Sequence, residues 1–155
     1  MPGESLYFRY QPPQGYIIGS LRNPDIPHIA NAIRDLGLHA FDDWWSASED
    51  ADEWWQNHEK IRGRTYKEAL NGAHATNVFE FDLKNIEESS FGVLVLPAGK
   101  SGHMEMGYMR GEGKPIWIYF DGEPDRFDIM YRFAYDVCFS LDELLASLKD
   151  YWSTH

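Results

Sequence analysis

Two continuous apolar runs constrain the fold more than any other feature of the chain. Phe91 to Leu96 (FGVLVL) and Ile116 to Phe120 (IWIYF) are short, bounded by turn residues, and do not alternate polar with apolar side chains. Runs of this kind are strands covered on both faces, as in a parallel sheet between two helix layers. Gly113-Lys114-Pro115 announces the second run. Between them, Pro97 to Ser101 reads as a loop. Residues 102–112 read as a helix whose Gly107 and Gly111 allow close packing on the sheet.

The flanking sequence supplies further units of the same kind. Tyr16-Ile17-Ile18-Gly19-Ser20 is a short strand ending in small residues, and Asn23-Pro24 then forms a helix start with Pro at the first helical position. Ile26, Ile29, Ala30, Ile33 and Leu36 repeat at helical spacing until Gly37. Residues 39–43 read as a second short strand, 50–71 as mostly helical, and 75–89 as helical at least from Asp82 onward. Residues 135–139 read as a last strand. Ser140 to Glu143 is a capping box, opening a helix with Leu141, Leu144, Leu145 and Leu148 as its core stripe. The alternation predicts an irregular arm over residues 1–15 and one domain over 16–155. Its fold is a three-layer α/β arrangement, flavodoxin-like or Rossmann-like, with a five-stranded parallel sheet and right-handed crossovers.

Composition removes several function classes. Lys and Arg number 14 against 25 Asp and Glu, a net charge of −11 that repels phosphate backbones and argues against nucleic-acid binding. Cys138 is the single cysteine, so no intrachain disulfide and no cysteine metal cage is possible, and it reads as core filling. No run approaches a membrane span, and the first ten residues lack an apolar signal segment. A cytoplasmic protein is expected. His58-Glu59 begins like a zinc motif, but Arg62 stands where the second histidine is needed. His103-Met104-Glu105 lacks the cysteine pair that a zinc deaminase requires. Neither a dinucleotide-binding glycine pattern nor a serine nucleophile elbow is present. Metal chemistry is not expected.

In a parallel sheet, ligands bind beyond the carboxyl ends of the strands where strand order reverses. That rule brings Gly19 to Arg22, Asp42-Asp43 and Pro97 to Glu105 to one rim. Glu105 falls in the first turn of its predicted helix, where the N–H groups favour an ionised carboxylate. Such a group can attack a sugar anomeric carbon, or it can simply complement the helix dipole. Asp82 reads either as an acid beside an apolar stripe, its pKa raised by burial, or as a helix N-cap. Gly19 lets a ligand approach the backbone, and Ser20, Arg22 and Ser101 could hold a phosphate. Asp43 could bind a base or sugar hydroxyls, Trp44 and Trp45 could stack on a base, and His103 could contact the sugar. For Tyr16, Arg22, the two tryptophans and His103 the alternatives are core, solvent or an oligomer interface.

Four segments, in order, resemble the nucleoside 2-deoxyribosyltransferase family and its nucleotide N-glycosidase relatives. They are Tyr16 to Ser20, Asp82-Leu83-Lys84-Asn85-Ile86, Phe91 to Pro97, and Ser101 to Tyr108 followed by Gly113-Lys114-Pro115-Ile116. The resemblance implies Glu105 as the nucleophile that attacks C1′, Asp82 as the acid that helps the base depart, and Tyr16 as the residue that orients the nucleophile. It further implies a nucleoside or nucleotide and a free base as partners, no cofactor and no metal, and a homo-oligomer whose neighbouring subunit completes the pocket. The expected reaction is cleavage of an N-glycosidic bond with transfer of the sugar to another base. Hydrolysis of a nucleoside 5′-monophosphate and nucleotide binding without turnover are the alternatives. Residues 44–59, which hold four of the six tryptophans, have no counterpart in the resemblance.

Overall fold

Residues 11–155 are described by a computed structural model, and the apolar runs form the middle of its sheet. Residues 1–10, most of the expected arm, lie outside the described residues. The strands are β1 (Gln14–Ile18), β2 (His39–Phe41), β3 (Phe91–Val95), β4 (Ile116–Tyr119) and β5 (Asp136–Cys138). All pair in parallel, in the order β2-β1-β3-β4-β5. The expected single domain with five parallel strands is therefore the observed one. Strand order reverses between β1 and β3, which makes that seam the switch point. Every residue of β3 is buried, because it lies at the centre with helices on both faces.

The helices are α1 (Ile26–Arg34), α2 (Ala51–Ile61), α3 (Tyr66–Leu70), α4 (Ala73–Glu88), α5 (Lys100–Gly111) and α6 (Leu141–Thr154). Side chains alternate along a strand, so the two cores separate cleanly. Ile17, Phe91, Val93, Val95 and Trp117 point to one face and meet Ile26, Ile29, Ile33, Leu144 and Leu148 of α1 and α6. Tyr16, Ile18, Leu94, Ile116 and Ile118 point to the other and meet Ile86, Met106 and Met109 of α4 and α5.

Several boundaries differ from expectation for identifiable reasons. Residues 50–71 form two helices, because Gly63 takes a positive φ of 74° and breaks the run before Thr65 caps α3. Helix α4 begins at Ala73, nine residues before Asp82, so Asp82 is an interior helical residue and not an N-cap. Helix α5 begins at Lys100, which places Glu105 beyond the first turn. Gly107 and Gly111 face open space; the glycine that packs on the sheet is Gly102, where a Cβ would stand 3.1 Å from Ile18 Cγ2 and 3.3 Å from Ala98 Cβ. Opposite it, a Cβ on Gly92 would meet Ile116 Cδ1 at 2.7 Å and Met109 Sδ at 3.1 Å. Absent side chains at these two positions let α5 sit close to the sheet.

Candidate active site

Three strand and helix positions converge on the α4/α5 face at the switch point. Tyr16 is in the middle of β1 and is paired in register with Gly92 of β3. In parallel strands such partners point to the same face, so the tyrosine ring has a glycine, not a side chain, for its neighbour. Its other side stacks on Phe41, with ring centroids 5.4 Å apart, and Phe41 in turn meets Phe81 at 5.8 Å. Glu105 descends from α5 and Asp82 from α4; the Asp82 charge acts on Glu105, and both charges act on the Tyr16 hydroxyl.

Burial decides the protonation of this group. Loss of solvation pushes the Glu105 carboxyl up to about 7, against the hydrogen bond from the Tyr16 hydroxyl that lowers it and with the nearby Asp82 charge that raises it further. Burial alone pushes Asp82 up to about 6. The Tyr16 phenol is raised above its ordinary range, first by burial and then by the charges of Glu105 and Asp82. The sequence-based expectation for Glu105 is corrected here. A first-turn carboxylate kept ionised by helix N–H groups is not what the chain builds, because α5 starts earlier and the half-buried side chain loses solvation.

His103 stands on the preceding part of α5 and is held at both ring nitrogens. Nδ1 lies 2.8 Å from the Gly99 carbonyl oxygen, which can only accept, so Nδ1 carries the proton. The Tyr131 hydroxyl then donates to Nε2 at 2.8 Å, and the two rings stack with centroids 5.7 Å apart. Tyr131 also meets Phe120 edge-on at 5.8 Å. Nothing in the pattern of residues 121–133 singles out Tyr131, because its partner lies far away in sequence. Phe41 was legible only as a strand residue.

The remaining expected residues line the strand ends without joining the cluster. Ser20 Oγ accepts from the Arg22 backbone N–H at 3.1 Å, forming a local turn. Arg22 extends into solvent and reaches Glu53 at 4.0 Å. Gly19 serves packing: a Cβ there would stand 2.7 Å from Ile26 Cδ1. Asp43 is exposed at the start of a 3-10 helix (Asp43–Ala47), while neighbouring Asp42 pairs with Arg34 at 2.8 Å. Trp44 and Trp45 donate their indole N–H groups to the carbonyls of Ile17 at 2.7 Å and Asn23 at 2.8 Å, so both tie this segment to the end of β1. Ser101 is exposed in the first turn of α5. Among the described residues, no three His, Cys, Asp or Glu side chains converge where a metal ion could sit, and no helix is long and apolar enough to cross a membrane.

No family model matches the sequence, and no curated protein matches it. Solved structures match the fold. A CMP N-glycosidase of Clostridium botulinum is similar with a TM-score of 0.54 and 12% identity, over 87% of this chain and 97% of its own. A 2-deoxyribosyltransferase of Bacillus psychrosaccharolyticus is similar with a TM-score of 0.55 and 17% identity, over 85% of this chain and 90% of its own. The resemblance carried by the four sequence segments and the likeness of fold thus converge on one group, the nucleoside 2-deoxyribosyltransferases with their N-glycosidase relatives, whose fold this chain has.

Proposed function

We propose that the chain cleaves the N-glycosidic bond of a (2′-deoxy)nucleoside or its 5′-monophosphate and transfers the sugar to another base, by double displacement through Glu105. The observation that carries this reading is the assembly of Tyr16, Asp82 and Glu105 from β1, α4 and α5 into one electrostatically coupled group. Two half-buried carboxyl groups beside a buried tyrosine are costly to a fold, and their raised pKa values are what acid–base and nucleophilic chemistry near neutral pH requires.

The steps balance as follows. An ionised Glu105 oxygen forms a bond to C1′ as the C1′–N bond breaks, and the bonding pair leaves with the base. A proton from Asp82 neutralises the departing nitrogen. An acceptor base then attacks C1′, gives its N–H proton to Asp82, and releases Glu105 as carboxylate. Water in place of the acceptor gives hydrolysis. The hydrolytic reading is favoured by the likeness to a CMP N-glycosidase, and Ser20, Arg22 and Ser101 at the strand ends are the residues to hold a 5′-phosphate.

Both carboxyl groups are raised towards neutral pH, Glu105 to about 7 and Asp82 to about 6. Activity therefore follows a bell centred between 6 and 7, falling on the acid side as Glu105 is protonated and on the alkaline side as Asp82 ionises. A plateau on the alkaline side would mean that Asp82 holds the base as a carboxylate and donates no proton.

A homo-oligomer is part of the proposal. Helix α4 exposes Val78, Phe79 and Phe81 on the face that carries Asp82, an apolar surface suited to a second copy. The deciding experiment is a chromatographic assay of wild type and Glu105→Ala with nucleosides and 5′-monophosphates, with and without an acceptor base. A new nucleoside that requires the acceptor and is absent with the variant supports transfer. Free base without acceptor supports hydrolysis. Equal inertness of both proteins, with binding retained, supports a nucleotide-binding protein without turnover.

A further inference from the structure

Negative charge and aromatic surface coincide at the Tyr16, Asp82 and Glu105 group. Among the described residues, neither carboxyl forms an ion pair with a lysine, arginine or histidine. The cations nearest in sequence are directed or engaged elsewhere. Lys84 stands two positions after Asp82 on α4 and is exposed, and residues so spaced do not share a helix face. His103 stands two positions before Glu105 on α5, with both ring nitrogens already bonded. Beyond this group the acting charges are negative as well. After burial, Asp121 and Asp25 raise the Tyr119 phenol, and Asp128 raises that of Tyr131.

Aromatic rings run alongside the two acids. Tyr16 stacks on Phe41 with 23° between the ring planes, and Phe41 meets Phe81, the residue before Asp82. Phe81 stays half exposed, so the fold does not close this wall. The face of an aromatic ring attracts a cation, because its quadrupole is negative there. Carboxyl groups without a cation, beside a half-exposed aromatic wall, complement a flat ligand of positive charge. Linkage points the same way. A positive charge within about 4–6 Å of a carboxyl favours its ionised form by roughly tenfold or more. By reciprocity, the ionised carboxyl binds that charge tighter by the same factor.

We propose that the site takes a nucleoside whose base carries a formal positive charge, an N-alkylated purine or a pyridinium, in preference to a neutral nucleoside or an anionic 5′-monophosphate. This rests on the glycosidic reading above and narrows its substrate. The bound cation ionises both acids, so Glu105 becomes the attacking carboxylate and Asp82 a counter-ion. The Glu105 oxygen bonds to C1′ as the C1′–N bond breaks. The bonding pair cancels the charge on nitrogen, and the base leaves neutral without taking a proton. The acceptor, water or a second base, then attacks C1′, passes its proton to Asp82 and frees Glu105 as carboxylate.

The test compares matched ligands by calorimetry on the full chain. They are titrated into wild type and into Glu105→Gln, which removes turnover and keeps Asp82. Nicotinamide riboside is set against its neutral dihydro form and its 5′-monophosphate near neutral pH. 7-Methylguanosine is set against guanosine in mild acid, where the methylated base is cationic. The expected result is binding about tenfold tighter for the cationic member of each pair than for the neutral one. That ratio is expected to collapse in Asp82→Asn and to shrink in Phe81→Leu, and a loss of folding alone would not move it. Equal affinity within both pairs, or tightest binding of the 5′-monophosphate, overturns the proposal and leaves the glycosidic reading standing. Binding of no nucleoside at all overturns both.

Discussion

The two faces of the sheet are built to opposite specifications. On the α1/α6 face, Phe91 and Trp117 meet edge-on at 5.6 Å and are sealed by isoleucines and leucines. A polar chain there runs from Trp117, which donates to Ser147 at 2.9 Å, to Asp136, which accepts from Ser147 at 2.6 Å. On the α4/α5 face, two carboxyl groups are half-buried beside Tyr16, and Val78, Phe79 and Phe81 are left uncovered. One layer stabilises the fold while the other carries features that cost stability, which is the usual division between scaffold and site.

The largest test of that division is Trp117→Ala. Removing a fully buried indole from the closed face is expected to cost about 3–5 kcal/mol in urea unfolding. Glu105→Gln, on the other face, is expected to act in the opposite direction. Folding raises Glu105 from the ordinary carboxylate range to about 7, so between those limits the folded chain keeps a proton that the unfolded chain has released. Its contribution to stability is full in acid and is lost as pH rises towards 7. The variant is therefore expected to be more stable than wild type by roughly 2 kcal/mol at pH 8, with the gain shrinking towards pH 5. A destabilised variant at pH 8 would mean that the face is not under electrostatic load.

Smaller effects sharpen the same contrast. Tyr131→Phe removes one hydrogen bond to His103 and keeps the stack, so about 1 kcal/mol or less is expected, with faster amide exchange across residues 121–133. Phe79→Ser, at a side chain 65% exposed, is expected to change protomer stability by no more than about 0.5 kcal/mol while weakening self-association in sedimentation. A cost equal to that of Trp117→Ala would show that the second face is as tightly covered as the first.

The sheet was legible because its central strands are uninterrupted apolar runs, and no helix can use such a run without burying its whole circumference. The start of α4 at Ala73 was not, because Val78, Phe79 and Phe81 are exposed apolar residues that break the helical stripe. A pKa raised by burial was one of the two readings of Asp82 in the sequence, whereas for Glu105 it was not legible. An error of two residues in the start of α5 exchanged a helix-stabilised carboxylate for a half-buried, desolvated one. The His103–Tyr131 couple was invisible, since no local pattern announces a hydrogen bond between residues so far apart.

The indole of Trp44 has a consequence for how this chain can be altered. The β1–β2 ladder ends at the Tyr16–Phe41 pair, and the next carbonyl on β1, that of Ile17, accepts from Trp44 instead of from a strand. With Trp45 bound to Asn23, the chain is stitched to the sheet immediately after its edge strand. The segment from Ser46 to Gly72 then leaves from a fixed anchor and returns at the start of α4. Such a loop-out can be lengthened, shortened or exchanged for another module without re-registering a single strand, which makes it the natural port for grafting a new binding element onto this scaffold.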